Sequence, residues 1–324
     1  MRFHVRLAFA LCVFAVVMPS LIAEDLRLFR YKPDSENNVK QWQSDLRSKL
    51  FQTLMLSDRM ENRATIDFQA KIISSKTYPA YELKHLEIQS TPGRRIKIVV
   101  TIPSKSPSVA KLPAVVCIHG HGGNRESVHD QNGPYRAFAQ HLAKAGYVTI
   151  ATDVGQHHVY EKGQLLMGER LWDVMRCVDY VSTLPEVDAK KIGCAGLSLG
   201  GEMAMWLGAM DTRIQATLVS GFLTSMDQLE RNHCMCWKFP GLRELVDFAD
   251  IYALTAPRPL HFQNGRQEPA QDFAVPLAER VLQEIKPAYR DLGKPDAVTF
   301  RAHPEGHVVD VPDLMKFFEV NLTR

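Results

Sequence analysis

The sequence predicts an α/β protein, with a mostly parallel central sheet flanked by helices on both faces. Three observations carry this. From residue 113 onward, short unbroken apolar runs such as "PAVVCIH", "YVTIATD" and "KIGCAG" recur along the chain. Between them lie longer segments with apolar residues at helical spacing. The apolar runs also lack the polar alternation of a half-exposed strand, so they are expected to be buried on both faces, as parallel strands under crossover helices are.

Taken in order, "SENNVKQWQSDLRSKLFQTLM" repeats apolar residues at Val39, Trp42, Leu46, Leu50 and Leu54, which predicts a helix. "ELKHLEIQS" and "RRIKIVVTIP" flank "TPG" and read as two antiparallel strands at one edge of the sheet. After "PAVVCIH", the segment "PYRAFAQHLAKAG" lines Tyr135, Phe138, Ala139, Leu142 and Ala145 on one face and ends at Gly146. "YVTIATD" precedes a helix over "GERLWDVMRCVDYVSTL", and "KIGCAG" precedes a helix over "LGGEMAMWLGAM". "IQATLVSG", "PLHFQNG" and "AVTFRAH" are further strands, and "PDLMKFFEVNL" is a closing helix with Pro312 in its first turn.

With 45% hydrophobic and 23% charged residues, the 324-residue chain has a globular composition, enough for one large domain or two small ones. It has no repeat period and no low-complexity tract. Its net charge of +3 is small and its basic residues are scattered, so nucleic acid is not an expected partner. "MRFHVR" followed by "LAFALCVFAVVM" and "PSLIA" reads as a secretory leader over residues 1–23, cleaved near Ala23. The apolar core is shorter than the ~20 residues of a membrane span, so export to the periplasm or exterior without a stable anchor is expected. Residues 24–81 then form an N-terminal helical extension and 82–324 the main domain.

Cys12 leaves with such a leader. The remaining Cys117, Cys177, Cys194, Cys234 and Cys236 are odd in number, and three lie in apolar runs, where a thiol behaves as a small hydrophobe. "HCMC" at 233–236 resembles half a metal site, and Asp153 with His157 and His158 makes a local trio. Structural zinc needs four ligands and neither group supplies them, so no metal and no cofactor is expected. Asp153 is assigned to structural hydrogen bonds.

In an open α/β sheet, ligands sit outside the carboxyl ends of the strands. Polar residues at those ends are few: "GHGGN" (120–124), Ser198, Glu268 in "RQEP", and His307. A serine hydroxyl needs a base to take its proton as it attacks, and imidazole titrates near neutral pH. A carboxylate then holds the ring in one tautomer and stabilises the imidazolium. Ser198 as nucleophile, Glu268 as acid and His307 as base satisfy this chemistry, with Asp272 as the alternative acid and His303 as the alternative base.

Gly196, Ser198 and Gly200 between strand and helix, followed by an acid and a last histidine, resemble the α/β-hydrolase fold from about residue 82 to the end. Within it, "LPEVDAKKIGCAGLSLGG" and "APRPLHFQNGRQEP" are most similar to dienelactone-hydrolase and acetyl-xylan-esterase-like bacterial esterases. The resemblance implies an oxyanion hole made by the backbone amides of Leu199 and His121, with the His119 and His121 side chains shaping that loop rather than titrating. It implies an exported serine esterase acting on a small-molecule or carbohydrate ester with a short acyl group. A prolyl-oligopeptidase-like peptidase and a catalytically silent binding module are the alternatives. The ~60 residues before the hydrolase-like region fall short of a propeller at ~40–45 residues per blade. Residues 221–254 exceed one helix connection, and Phe222, Leu223, Met226, Trp237 and Phe239 there fit either a lid over the serine or ordinary core. Substrate-binding residues and oligomeric state are not assigned.

Overall fold

The computed structural model describes residues 27–104 and 111–323; the leader expected over 1–23 lies outside them. The chain opens with α1 (Glu36–Thr53) and α2 (Ser57–Glu61), then β1 (Lys71–Thr77), β2 (Tyr81–Thr91), β3 (Arg94–Pro103) and β4 (Leu112–Ile118). Strands and helices then alternate: α3 (Phe138–Lys144), β5 (Val148–Thr152), α4 (Leu166–Ser182), β6 (Val187–Leu197), α5 (Leu199–Met210) and β7 (Ile214–Ser220). Three short helices follow, α6 (Met226–Asn232), α7 (Leu242–Leu245) and α8 (Phe248–Ala253). β8 (Leu260–Gly265), α9 (Val275–Asp291), β9 (Val298–His303) and α10 (Val311–Leu322) close the chain.

The nine strands form one sheet in the order β1-β2-β3-β5-β4-β6-β7-β8-β9. β5, β4, β6, β7, β8 and β9 run parallel, while β1, β2 and β3 join antiparallel. The predicted pair β2–β3 is therefore one strand in from the edge, which is β1. Every residue of β1 is exposed, Ile72 and Ile73 by 59% and 54%. A strand that buries neither face leaves no periodic apolar signal, so its sequence reads as a loop.

Period-two alternation sorts the central strands between two cores. Ala114, Val116 and Ile118 of β4, with Ile192 and Cys194 of β6, face a large core covered by α1, α4, α5, α8 and α9. Val115, Cys117, Ala195 and Leu197 face the opposite core under α3 and α10. All twelve residues of α5 are buried, which explains a helix that is apolar nearly all round. The N-terminal helix α1 joins the large core through Leu46 and Leu50. Its Gln43 donates to the carbonyls of Ala253 and Ala256, and Arg47 to that of Ala209. Thus α1 packs on α5, α8 and α9, while β1 of the same N-terminal segment supplies the sheet edge.

Phe222, Leu223, Met226, Trp237 and Phe239 are all buried in the large core. Apolar side chains at helical spacing suit a lid and a core equally well; here they are core. Arg94 makes a bidentate pair with buried Asp173, both contacts at 2.7 Å, and Ser90 donates to the same carboxylate at 2.5 Å, which fixes β2 and β3 against α4.

Candidate active site

Ser198 stands between β6 and α5 with φ 61° and ψ −126°. Positive φ is uncommon for any residue but glycine, and such backbone strain clusters at functional sites. Two contacts hold the turn. The Ser198 amide donates to the Ser220 carbonyl at 3.0 Å, and its own carbonyl accepts from the Glu202 amide at 2.9 Å. Its glycine neighbours are needed for close approach. A Cβ on Gly196 would lie 2.1 Å from the Gly200 carbonyl oxygen, and one on Gly200 would lie 2.2 Å from that of Ile118. Leu199 begins α5, so its amide is among the first-turn groups that have no intrahelical acceptor.

The loop after β4 abuts this turn, since a Cβ on Gly120 would lie 3.0 Å from Ser198 Cβ. Tyr135 accepts the Gly120 amide at 2.7 Å. His119 accepts from the Val154 amide at Nε2, 3.0 Å, which leaves its proton on Nδ1, 2.8 Å from the Gly120 carbonyl. Burial holds the His119 pKa below the usual imidazole range. For His121, burial followed by the nearby His233 and Arg170 pushes it down to about 4. Both rings are thus neutral fixtures of the loop near pH 7.

His307 follows β9 and donates from Nδ1 to Glu268 Oε2 at 2.7 Å. The Glu268 side chain is 1% exposed and that of His307 33%, so the acid is buried behind a ring that reaches solvent. Their loops are joined by backbone bonds, Arg266 N–H to the His303 carbonyl at 2.8 Å and Gln267 N–H to that of Glu305 at 3.0 Å. The His307 ring stacks on Phe273 with centroids 5.5 Å apart. It also packs against Gly221, the residue after the Ser220 carbonyl that holds Ser198. Asp272 lies instead 3.8 Å from His233. His303 is buried, and neither ring nitrogen has a partner among the described residues.

Gly221 and Phe273 frame the imidazole, yet neither was singled out as an imidazole neighbour from sequence. Glu202 and Arg170 were missed as well. Glu202 is the one acid in the apolar "LGGEMAMW" helix, and that isolation was the available signal. Burial, partly offset by Arg170, pushes its pKa up to about 8.

Residues 97–222 match the model of the dienelactone hydrolase family. The "Putative hydrolase YtaP" of Bacillus subtilis (strain 168) is 25% identical over 223 residues, 60% of this chain and 73% of that protein. A crystal structure described as a "putative acetyl xylan esterase", from Bacteroides fragilis NCTC 9343, aligns with a TM-score of 0.71 and 20% identity over 92% of this chain and 86% of that one. A glucuronoyl esterase from Solibacter usitatus aligns with a TM-score of 0.67 and 15% identity, over 91% and 96%. The chain has the α/β-hydrolase fold.

In this hydrolase fold Ser198, Glu268 and His307 all sit beyond the carboxyl ends of parallel strands, β6, β8 and β9 respectively. Asp153 takes structural hydrogen bonds, accepting from the Arg125 amide at 2.8 Å and its guanidinium at 2.6 Å. The Asp-His-His trio is dispersed, because His158 packs edge-on against Tyr160. His157 turns the other way and meets His121, Cys234 and Cys236, their ligand atoms all within 4.8 Å of one another. The expectation of no metal rested on each local group being incomplete; the fold brings His157 of one and Cys234 and Cys236 of the other together with His121 of a third loop. Among the described residues, no helix is long and apolar enough to cross a membrane.

Proposed function

We propose that the protein is a serine esterase in which Ser198 Oγ attacks the ester carbonyl and His307 Nε2 takes its proton. Glu268 holds the proton on His307 Nδ1 and stabilises the imidazolium. The amides of Leu199 and His121 donate to the developing oxyanion, each such donor typically contributing ~3 kcal/mol in the transition state. The imidazolium then protonates the leaving alkoxide, and water attacks the acyl-serine by the reverse proton path.

One observation carries this reading. A serine at positive φ is tied to the Ser220 carbonyl, and the next residue packs against an imidazole whose Nδ1 meets a buried carboxylate at 2.7 Å. The likeness to proteins described as acetyl xylan and glucuronoyl esterases supports an ester of a carbohydrate as substrate, and we favour a short acyl group. Residues 1–23 act as a cleaved leader in this proposal, so the enzyme works in the periplasm or outside the cell; 24–81 form an extension and 82–324 the catalytic region.

The test is hydrolysis of p-nitrophenyl acetate, butyrate and octanoate by wild type and Ser198→Ala, each shown folded by circular dichroism. Turnover should fall with chain length and drop at least ~10⁴-fold in the variant. A folded wild type without turnover on any ester, or a variant as active as wild type, would refute the proposal.

A further inference from the structure

We infer that His121, His157, Cys234 and Cys236 bind one zinc-class cation, which clasps residues 233–237 to two loops at the carboxyl edge of the sheet. His121 Nε2 lies 3.2 Å from Cys236 Sγ, and His157 Nε2 lies 3.4 Å from Cys234 Sγ. All four ligand atoms fall within 4.8 Å of one another. Tetrahedral zinc at ~2.0–2.1 Å from nitrogen and ~2.3 Å from sulfur requires ligand separations of roughly 3.3–3.8 Å. The set therefore closes on an ion by moving its widest pair about 1 Å.

The donor chemistry selects the ion. Two thiolates and two imidazoles suit zinc or cobalt(II), while calcium and magnesium want oxygen ligands. Two thiolates also cancel the double charge of the cation. Arg170, fully buried, points Nη1 at Cys236 Sγ from 3.4 Å and is itself anchored on the Gln156 carbonyl. A buried cationic donor beside one sulfur orients it, as outer groups around metal ligands do. Cys234 and Cys236 are both free thiols.

The three loops come from distant parts of the chain, after β4, after β5 and between β7 and β8. Four protein ligands complete a tetrahedron and leave no open position, which marks a structural role. The ion would fix the segment that follows α6 against the loop carrying His121. If the His121 amide is the oxyanion donor proposed above, the clasp also steadies that donor. The metal site itself stands on its own ligands and does not depend on the esterase reading.

The test reads metal directly, so a failed esterase assay leaves it intact. The purified chain, kept reduced and stripped with a chelator, is re-equilibrated with zinc and its metal content measured by plasma mass spectrometry. Cobalt(II) is added in parallel, because thiolate-to-cobalt charge transfer and strong visible bands arise only from a tetrahedral site with bound sulfur. Wild type and His158→Asn should take up one zinc per chain and give that spectrum. His157→Gln and the double variant Cys234→Ser with Cys236→Ser should bind zinc at least ~100-fold more weakly, beyond the ~10–100-fold typical of losing an outer partner. Should either variant misfold, the cobalt spectrum of wild type decides. Uptake below about a tenth of an ion per chain, or a cobalt spectrum without thiolate charge transfer, would overturn the inference.

Discussion

Gly221→Ala perturbs the imidazole without replacing any group assigned to the proposed chemistry. The residue has φ +58°, and its amide donates to the Gln263 carbonyl at 2.7 Å, so the backbone there is held in place. A Cβ would stand 2.8 Å from His307 Cε1, 2.9 Å from its Nδ1 and 3.1 Å from Glu268 Oε1. Carbon contacts settle at roughly 3.5–4.0 Å, so the ring must yield by about 0.7–1.2 Å. Phe273 stacks on the same ring at an interplanar angle of 16°, which resists a perpendicular retreat. The movement should therefore lengthen the 2.7 Å bond to Glu268 and shift Nε2 from the position in which it is proposed to take the Ser198 proton. A misplacement near 1 Å costs about 10²-fold in rate. The left-handed backbone adds a folding penalty of only ~1–2 kcal/mol, or a few degrees in Tm for a chain of this size. Steady-state hydrolysis of p-nitrophenyl acetate, with a thermal melt of the same sample, should show kcat down about 100-fold and KM nearly unchanged. A folded variant with kcat within about threefold of wild type would refute the placement of His307 in the reaction.

Two further outcomes follow from the same geometry. Glu268→Gln keeps the shape of the acid but loses its charge and should lower kcat by roughly 10³–10⁴-fold, whereas Asp272→Asn should stay within about threefold; equal losses would remove Glu268 from its role. His129 is buried, with neither ring nitrogen partnered among the described residues, and burial, followed by nearby His85, pushes its pKa down to about 4. Its folded pKa lies below the unfolded value of ~6.5, so the unfolded chain takes the proton first as pH falls. The stability it contributes is complete above about pH 6.5 and declines toward pH 4 by up to about 3 kcal/mol. Urea unfolding at pH 7 and 4.5 should show a smaller pH-dependent loss in His129→Leu than in wild type; identical losses would refute this account.

Much of the architecture was legible because burial imposes composition. Strands packed on both faces carry few charged positions, so "PAVVCIH" and "IQATLVSG" stand out as largely apolar, uncharged or nearly uncharged runs. The same logic explains what was missed. β1 buries nothing, so "KIISSKT" has no pattern to read. The 221–254 segment was ambiguous for the opposite reason: large side chains such as Trp237 and Phe239 become buried whether the partner is substrate or core, and spacing does not name the partner.

The catalytic candidates and the metal candidates illustrate one rule applied unevenly. Ser198, Glu268 and His307 were found because residues at the carboxyl ends of parallel strands were gathered into one list, irrespective of their distance along the chain. The metal ligands were instead sought by local spacing, where "HCMC" offers two sulfurs and the 153–158 loop one usable imidazole. Yet His121 follows β4, His157 follows β5, and Cys234 and Cys236 lie in the crossover after β7. All three loops belong to the edge that collects the proposed catalytic side chains, and pooling their candidate ligands by strand end assembles two sulfurs and two imidazoles. In a parallel sheet the topology, rather than the interval between residues, decides which ligands meet.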